Sequence, residues 1–148
     1  GFKARRLRNR TTSVRITEVK DDIDASRVYF LGNIGHNHFI KLLQLSTVHV
    51  YLTYPFVLSW SLLESMSCGC AIVASDTAPV REVIEHEKTG MLVPFFDPEK
   101  LASQVPELAA DPLLRQKLSR AARRFVQEKY DLETVCLPRL ERIVSQYA

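Results

Sequence analysis

The chain has 148 residues, 46% apolar and 25% charged, with a formal net charge of +3, a balance that suits one globular domain with its own core. No run approaches the roughly 20 apolar residues that span a bilayer, and no signal-peptide core is visible. Three cysteines, an odd number, argue against a disulfide framework, so a reducing cytosol is the expected compartment. The first residue is Gly1 rather than methionine, which suits a piece of a longer polypeptide.

Residues 1–12 show no apolar period and crowd Lys3, Arg5, Arg6, Arg8 and Arg10 together. Such an arm attracts phosphates, nucleic acid or an anionic membrane, or is simply solvated. No aromatic interleaving or nucleic-acid fold signature accompanies the charge, so the solvated reading is favoured and no nucleic-acid partner is expected. A short helix is expected over Ser13–Asp22. Arg27–Leu31 (RVYFL) predicts a strand closed by Gly32, and Phe39, Leu42, Leu43 and Ser46 repeat at helical spacing, predicting a helix over Asn37–Leu45. His36 and His38 invite a metal reading, but no cysteine or carboxylate nearby completes a ligand set, and an exposed polar His38 is favoured.

The stretch Val48–Ser75 organises the chain. Val48–Thr53 predicts a strand, Tyr54–Leu58 a loop, Ser59–Cys68 a helix ended by Gly69, and Ala71–Ala74 a second strand. A strand, tight loop and helix aim the helix N-terminus beyond the strand's carboxyl end, where unpaired N–H groups and the macrodipole favour an anion. In open parallel sheets that edge is where ligands bind.

Downstream, Thr77 or Ala78 before Pro79 starts a short helix with Val80, Val83 and Ile84 inward; Lys88-Thr89-Gly90 is a turn, and Met91–Val93 a strand. Asp97-Pro98 and Asp111-Pro112 each pair an N-cap acceptor with proline at the first helical position. Leu101, Val105, Leu108 and Ala109 form one apolar face, and Leu114, Leu118, Ala121, Ala122 and Phe125 the next. The second basic set, Arg115, Lys117, Arg120, Arg123 and Arg124, falls off that stripe and reads as a solvated face. A last helix, Leu132–Tyr147, is expected to bury Leu132, Cys136, Leu140 and Ile143, bent at Pro138. Alternating strands and helices predict an α/β domain with a parallel sheet of about four strands.

Glu64 is the sharpest polar candidate. A carboxylate there can accept hydrogen bonds from vicinal hydroxyls, as acidic residues do with ribose in nucleotide folds, while Ser61-Leu62-Leu63-Glu64 also reads as a capping box. The loop Pro55–Ser59 could set backbone N–H groups against a phosphate. Trp60 reads as core or wall. Ser65, Ser67 and the histidines form no nucleophile–base pair by spacing, and no catalytic residue is identified. Cys68 and Cys70 read as small apolar fillers around Gly69. Glu82 is balanced between a helix-start role and a ligand role.

LLESMSCGCAIVASDTAPVREVI, then KTGMLVPFFDPEKLA, then LSRAARRFVQEKYDLE, strongly resembles the group 1 (GT4-type) glycosyltransferases, with the pieces in family order over about Arg27–Glu133. The resemblance implies the C-terminal, donor-binding half of a GT-B fold, a Rossmann-like parallel sheet flanked by helices. Residues 1–26 are then a basic arm with a partial first unit, and 27–148 the donor-binding domain. Glu64 matches the second glutamate of the family's E-x7-E motif, the one expected on the donor ribose. Phe56 occupies the first glutamate's position. Val57, Leu58, Ser59 and Trp60 align with the Gly-Phe-Gly-Leu loop whose amides face diphosphate and sugar, here without its glycines. YPFVLSWSLLE resembles a recurrent variant subgroup, so inactivity need not follow.

The expected activity is retaining, metal-independent transfer of a sugar from a UDP- or GDP-sugar donor, with no separate cofactor. The expected partner is the N-terminal acceptor domain of the same full-length chain, so that this chain alone is half an active site. A non-catalytic nucleotide-sugar-binding or assembly module is the alternative. A weaker one is a basic domain docked peripherally on the inner face of a membrane through its N-terminal arginines, and a related GT-B enzyme such as an epimerase also stays open.

Overall fold

A computed structural model describes residues 23, 24, 26–54 and 57–147. The chain divides into two compact units, residues 1–38 and 39–148. The basic arm and the helix expected over Ser13–Asp22 lie outside the described residues.

In the first unit the expected strand Arg27–Leu31 does not form. The Asp24 carboxylate accepts the Ser26 amide (2.9 Å) and hydroxyl (2.6 Å), and the Asp24 carbonyl accepts the amides of Arg27 and Val28 at 3.0 and 3.1 Å. This turn takes the amides that a strand would give to a neighbour, and propensity for extended backbone creates no strand without that partner. Val28, Tyr29, Phe30 and Leu31 are exposed.

Helix α1 (His36–Leu45) follows, starting one residue before the sequence-derived boundary. The second unit carries a parallel three-stranded sheet, order β1-β2-β3, of β1 (His49–Tyr51), β2 (Ile72–Ser75) and β3 (Met91–Val93). The register sets Tyr51 opposite Ala74 and Ser75 opposite Val93. All four residues of central β2 are buried, as a parallel strand covered on both faces requires. Its alternate side chains divide the core. Ile72 and Ala74 join Leu62 and Met66 of α2 (Trp60–Ser67), Val80 of α3 (Ala78–Arg81), Leu43 of α1, Val83 and Ile84. Ala71 and Val73 face the other way, toward Met91, Val93 and Leu108 of α4 (Pro98–Ala110). Helix α5 (Pro112–Tyr130) serves both clusters, giving Leu118 to the second and Ala122 and Val126 to the first.

The helix boundaries follow local chemistry. Asp97 and Asp111 cap α4 and α5 by accepting the amides of Lys100 (2.8 Å) and Leu114 (2.9 Å), with proline in each first turn, as the sequence predicts. Gly69 takes φ +77° just after α2, a conformation that closes a helix and strains residues bearing a Cβ. The long final helix breaks in two. Leu132–Cys136 is a π-helical turn, and α6 (Leu137–Ser145) continues with Pro138 in its first turn. Proline has no N–H for the preceding turn, so the break falls there. The expected burial of Leu132, Leu140 and Ile143 does not occur: no residue of the turn or of α6 is buried.

Candidate functional site

The site grows from the carboxyl ends of the strands. β1 ends at Tyr51, whose ring lies in the core at 8% exposure and whose hydroxyl accepts the Ser59 amide at 3.1 Å. Ser59 in turn caps α2: its Oγ accepts the Ser61 amide (3.3 Å) and its carbonyl the Leu62 amide (3.1 Å). The cap is therefore Ser59 and not Ser61, which corrects the capping box read at Ser61–Glu64. Glu64 sits in the second turn of α2, half-buried. Burial, then the charge of Glu64, pushes the Cys68 thiol above its ordinary pKa.

β2 ends at Ser75, which is fully buried. Its Oγ accepts the Thr53 amide at 3.0 Å and donates to the Thr53 carbonyl at 2.9 Å. Asp76 follows, its amide donating to the Val93 carbonyl at 2.7 Å. Its carboxylate takes both the Nε (2.5 Å) and Nη2 (2.8 Å) of Arg81, and this hydrogen-bonded pair holds the Asp76 carboxyl below its ordinary range. Thr77, the N-cap of α3, is 7% exposed, and its hydroxyl has no hydrogen-bond partner among the described residues. Beyond β1 and β3, Tyr54, Phe95 and Phe96 meet edge to face, with centroids 5.0 to 5.5 Å apart.

Among the sequence-predicted residues, Val57, Leu58, Ser59 and Trp60 lead into α2 along this edge, with Glu64 one turn on. Trp60 is 81% exposed at the first helical position, so it is not core. Phe56 lies outside the described residues. Glu82 falls at the C-cap of α3, exposed, where a carboxylate opposes the helix dipole; this overturns its helix-start reading. It lines a surface cavity of about 420 Å³ together with Arg81, Glu85, His86, Leu92 and Phe125, away from α2. Cys70 is a buried filler as read, its Sγ donating to the Leu43 carbonyl (3.2 Å) and its pKa pushed up to about 11 by burial. Among the described residues no three His, Cys, Asp or Glu side chains converge to hold a metal ion. His38 is exposed.

Sequence reasoning missed the two hydroxyl contacts of Tyr51 and Ser75 and the aromatic cluster. Phe95-Phe96, one proline past the strand Met91–Val93, was a signal for the latter; a hydroxyl bond across 22 residues of sequence leaves none.

Arranged this way, the edge offers a capped helix N-terminus, a half-buried carboxylate one turn on, and exposed aromatic surface beside them, a set suited to an anionic group with a hydroxyl-bearing neighbour. The sequence profile of the family described as "Glycosyl transferases group 1" matches residues 23–125. The chain is 32% identical over 121 residues to N-acetyl-alpha-D-glucosaminyl L-malate synthase of Bacillus anthracis, covering 82% of this chain and 29% of that protein. Its fold is similar to the C-terminal domain of a glycosyl transferase group 1 family protein from Francisella tularensis (TM-score 0.72, 22% identity, 82% of this chain and 63% of the other). It is also similar to Anabaena HepE solved with UDP-glucose (TM-score 0.76, 21% identity, 90% and 36%). The chain thus spans about three tenths of the length of the curated relative.

Proposed function

The chain belongs to the group 1 glycosyl transferases and has the α/β fold of the C-terminal half of a GT-B enzyme, and from that premise we propose that it is the donor-binding part of a transferase using a nucleotide-diphosphate sugar. The observation that carries this reading is the family match running through Glu64, combined with an α2 N-terminus that opens on the carboxyl edge of the sheet. HepE, of the same fold, holds UDP-glucose.

In this reading the diphosphate lies against the loop entering α2, and the N–H groups and dipole of that helix take up the charge that grows as the anomeric carbon–oxygen bond breaks. Glu64 accepts the ribose hydroxyls. Val57, Leu58, Ser59 and Trp60 line the diphosphate and sugar, and Phe56 stands where a family glutamate meets the sugar. Transfer is retaining and needs no metal, and the acceptor is held by an N-terminal domain of the full-length chain. The working compartment is the cytosol. No helix among the described residues is long and apolar enough to cross a membrane. The arginine arm, which carries the reading of peripheral contact with a membrane's inner face, lies outside the described residues.

Replacing Glu64 by Ala in the full-length enzyme is expected to weaken donor binding and lower kcat/KM by about tenfold or more, the loss of one or two hydrogen bonds to a charged group. Near-normal turnover would refute the assignment. Phe56 at a glutamate position motivates a second reading, a nucleotide-sugar-binding module without catalysis. Sugar transfer by the intact enzyme, measured with its acceptor, excludes that reading.

A further inference from the structure

The loop between Thr53 and Ser59 lacks the glycines that would let bare backbone approach a phosphate, and among the described residues the one non-glycine at positive φ is Glu87, far along the chain. The described parts of the loop therefore run on ordinary backbone, and something other than glycine geometry sets their course. At its entrance, the β1–β2 ladder ends with Tyr51 opposite Ala74, so Thr53 lies two residues past it with its amide and carbonyl both in need of partners. The Ser75 hydroxyl supplies both, from a side chain with no exposure. At the exit, the Ser59 amide, on the residue that caps α2, is taken by the Tyr51 hydroxyl. For packing alone Tyr51 needs only its ring, which phenylalanine would supply; a buried hydroxyl costs stability unless it is bonded.

We propose that Tyr51 and Ser75 are positioning residues for the donor loop, two buried hydroxyls that hold Thr53 at its start and Ser59 at its end so that the amides of Val57 and Leu58 are held ready for the diphosphate. The inference rests on the donor-binding reading above, and deepens it: preorganisation of the loop comes from side-chain hydroxyls on β1 and β2. Neither residue touches the donor. Tyr51 acts through the backbone of Ser59, and Ser75 through that of Thr53 at the other end of the loop.

The test uses the full-length protein with Tyr51→Phe and Ser75→Ala. Two quantities are read: amide hydrogen exchange at Ser59 and Thr53, and titration with UDP, GDP and ADP. The expectation is a circular dichroism spectrum like the parent's, with exchange about tenfold faster at Ser59 in Tyr51→Phe and at Thr53 in Ser75→Ala, the equivalent of about one hydrogen bond. The affinity for the preferred nucleotide should fall several-fold. A folded variant with faster exchange but undiminished nucleotide affinity overturns the positioning role, as does unchanged exchange. A full-length parent that binds none of the three nucleotides while the exchange effects appear sinks the donor reading itself, and the positioning role with it. If Ser75→Ala does not fold, Tyr51→Phe alone decides, because it removes one oxygen and keeps the packed ring.

Discussion

His49 opens β1 with a mostly buried ring, and its Nε2 has no hydrogen-bond partner among the described residues. Burial lowers its pKa from the ordinary value of 6.5, because the charged imidazolium is the form that loses hydration. The unfolded chain therefore binds the proton more readily than the folded one, and folding stability falls as pH drops below about 6.5 and levels off above it. Urea midpoints at pH 5.5 and 7.5 should differ in that direction, and His49→Gln should reduce the difference whatever it does to the absolute stability. Gly90 shows how a residue can be placed correctly for an incomplete reason. The sequence reads it as the end of a turn, yet its φ is not in the left-handed region. What selects glycine is space: a Cβ there would stand 3.1 Å from Ile84 Cγ2 and 3.2 Å from the Ile72 carbonyl. Only the packed neighbours reveal that.

Asp111 shows how much one element boundary can carry. It ends α4, with its amide donating to the Leu108 carbonyl (3.3 Å), and starts α5 by capping the Leu114 amide. Arg115 then reaches back to donate to the carbonyls of Leu108 and Ala109, satisfying groups that the end of α4 leaves open. Of the second basic set, Arg115 is thus tied into a helix end, while Lys117, Arg120, Arg123 and Arg124 are exposed as read. Asp111→Ala should destabilise the fold by about 1 kcal/mol, the usual worth of an N-cap, seen as a lower denaturation midpoint with an unchanged slope. A shift near zero would show that water replaces the carboxylate there without loss. Glu82 makes the complementary point. Proline fixed the start of α3, but a helix of only four residues leaves Glu82 at its C-terminal end, and length was not readable from the pattern.

At the scale of the molecule, the two core clusters meet through β2 and α5, and α6 adds nothing to either. Its apolar residues Leu137, Leu140, Ile143 and Val144 are 40 to 59% exposed on the described structure. Ending the chain after Cys136 should therefore leave its thermal midpoint within about the change typical of surface substitutions, roughly 0.5 kcal/mol. A large loss would mean that this helix supports the core in solution. Much of the architecture was legible beforehand for local reasons. The Asp-Pro starts, the Gly69 stop, the proline break near 138 and the apolar runs of β2 and β3 each depend on a few adjacent residues. So did the edge on which Val57–Glu64 lie, since a strand–loop–helix order fixes which end of the helix faces it. Other features depended on residues remote in sequence. Arg27–Leu31 had the composition of a strand but no partner, and Leu140 and Ile143 had the period of a buried face but nothing described to bury them. The Ser75 hydroxyl found its partners on Thr53 only once β1 and β2 lay side by side. Local chemistry determined the elements, their ends and the family; tertiary structure decided which elements had neighbours, because hydrogen-bond ladders and burial exist only between surfaces that the fold brings together.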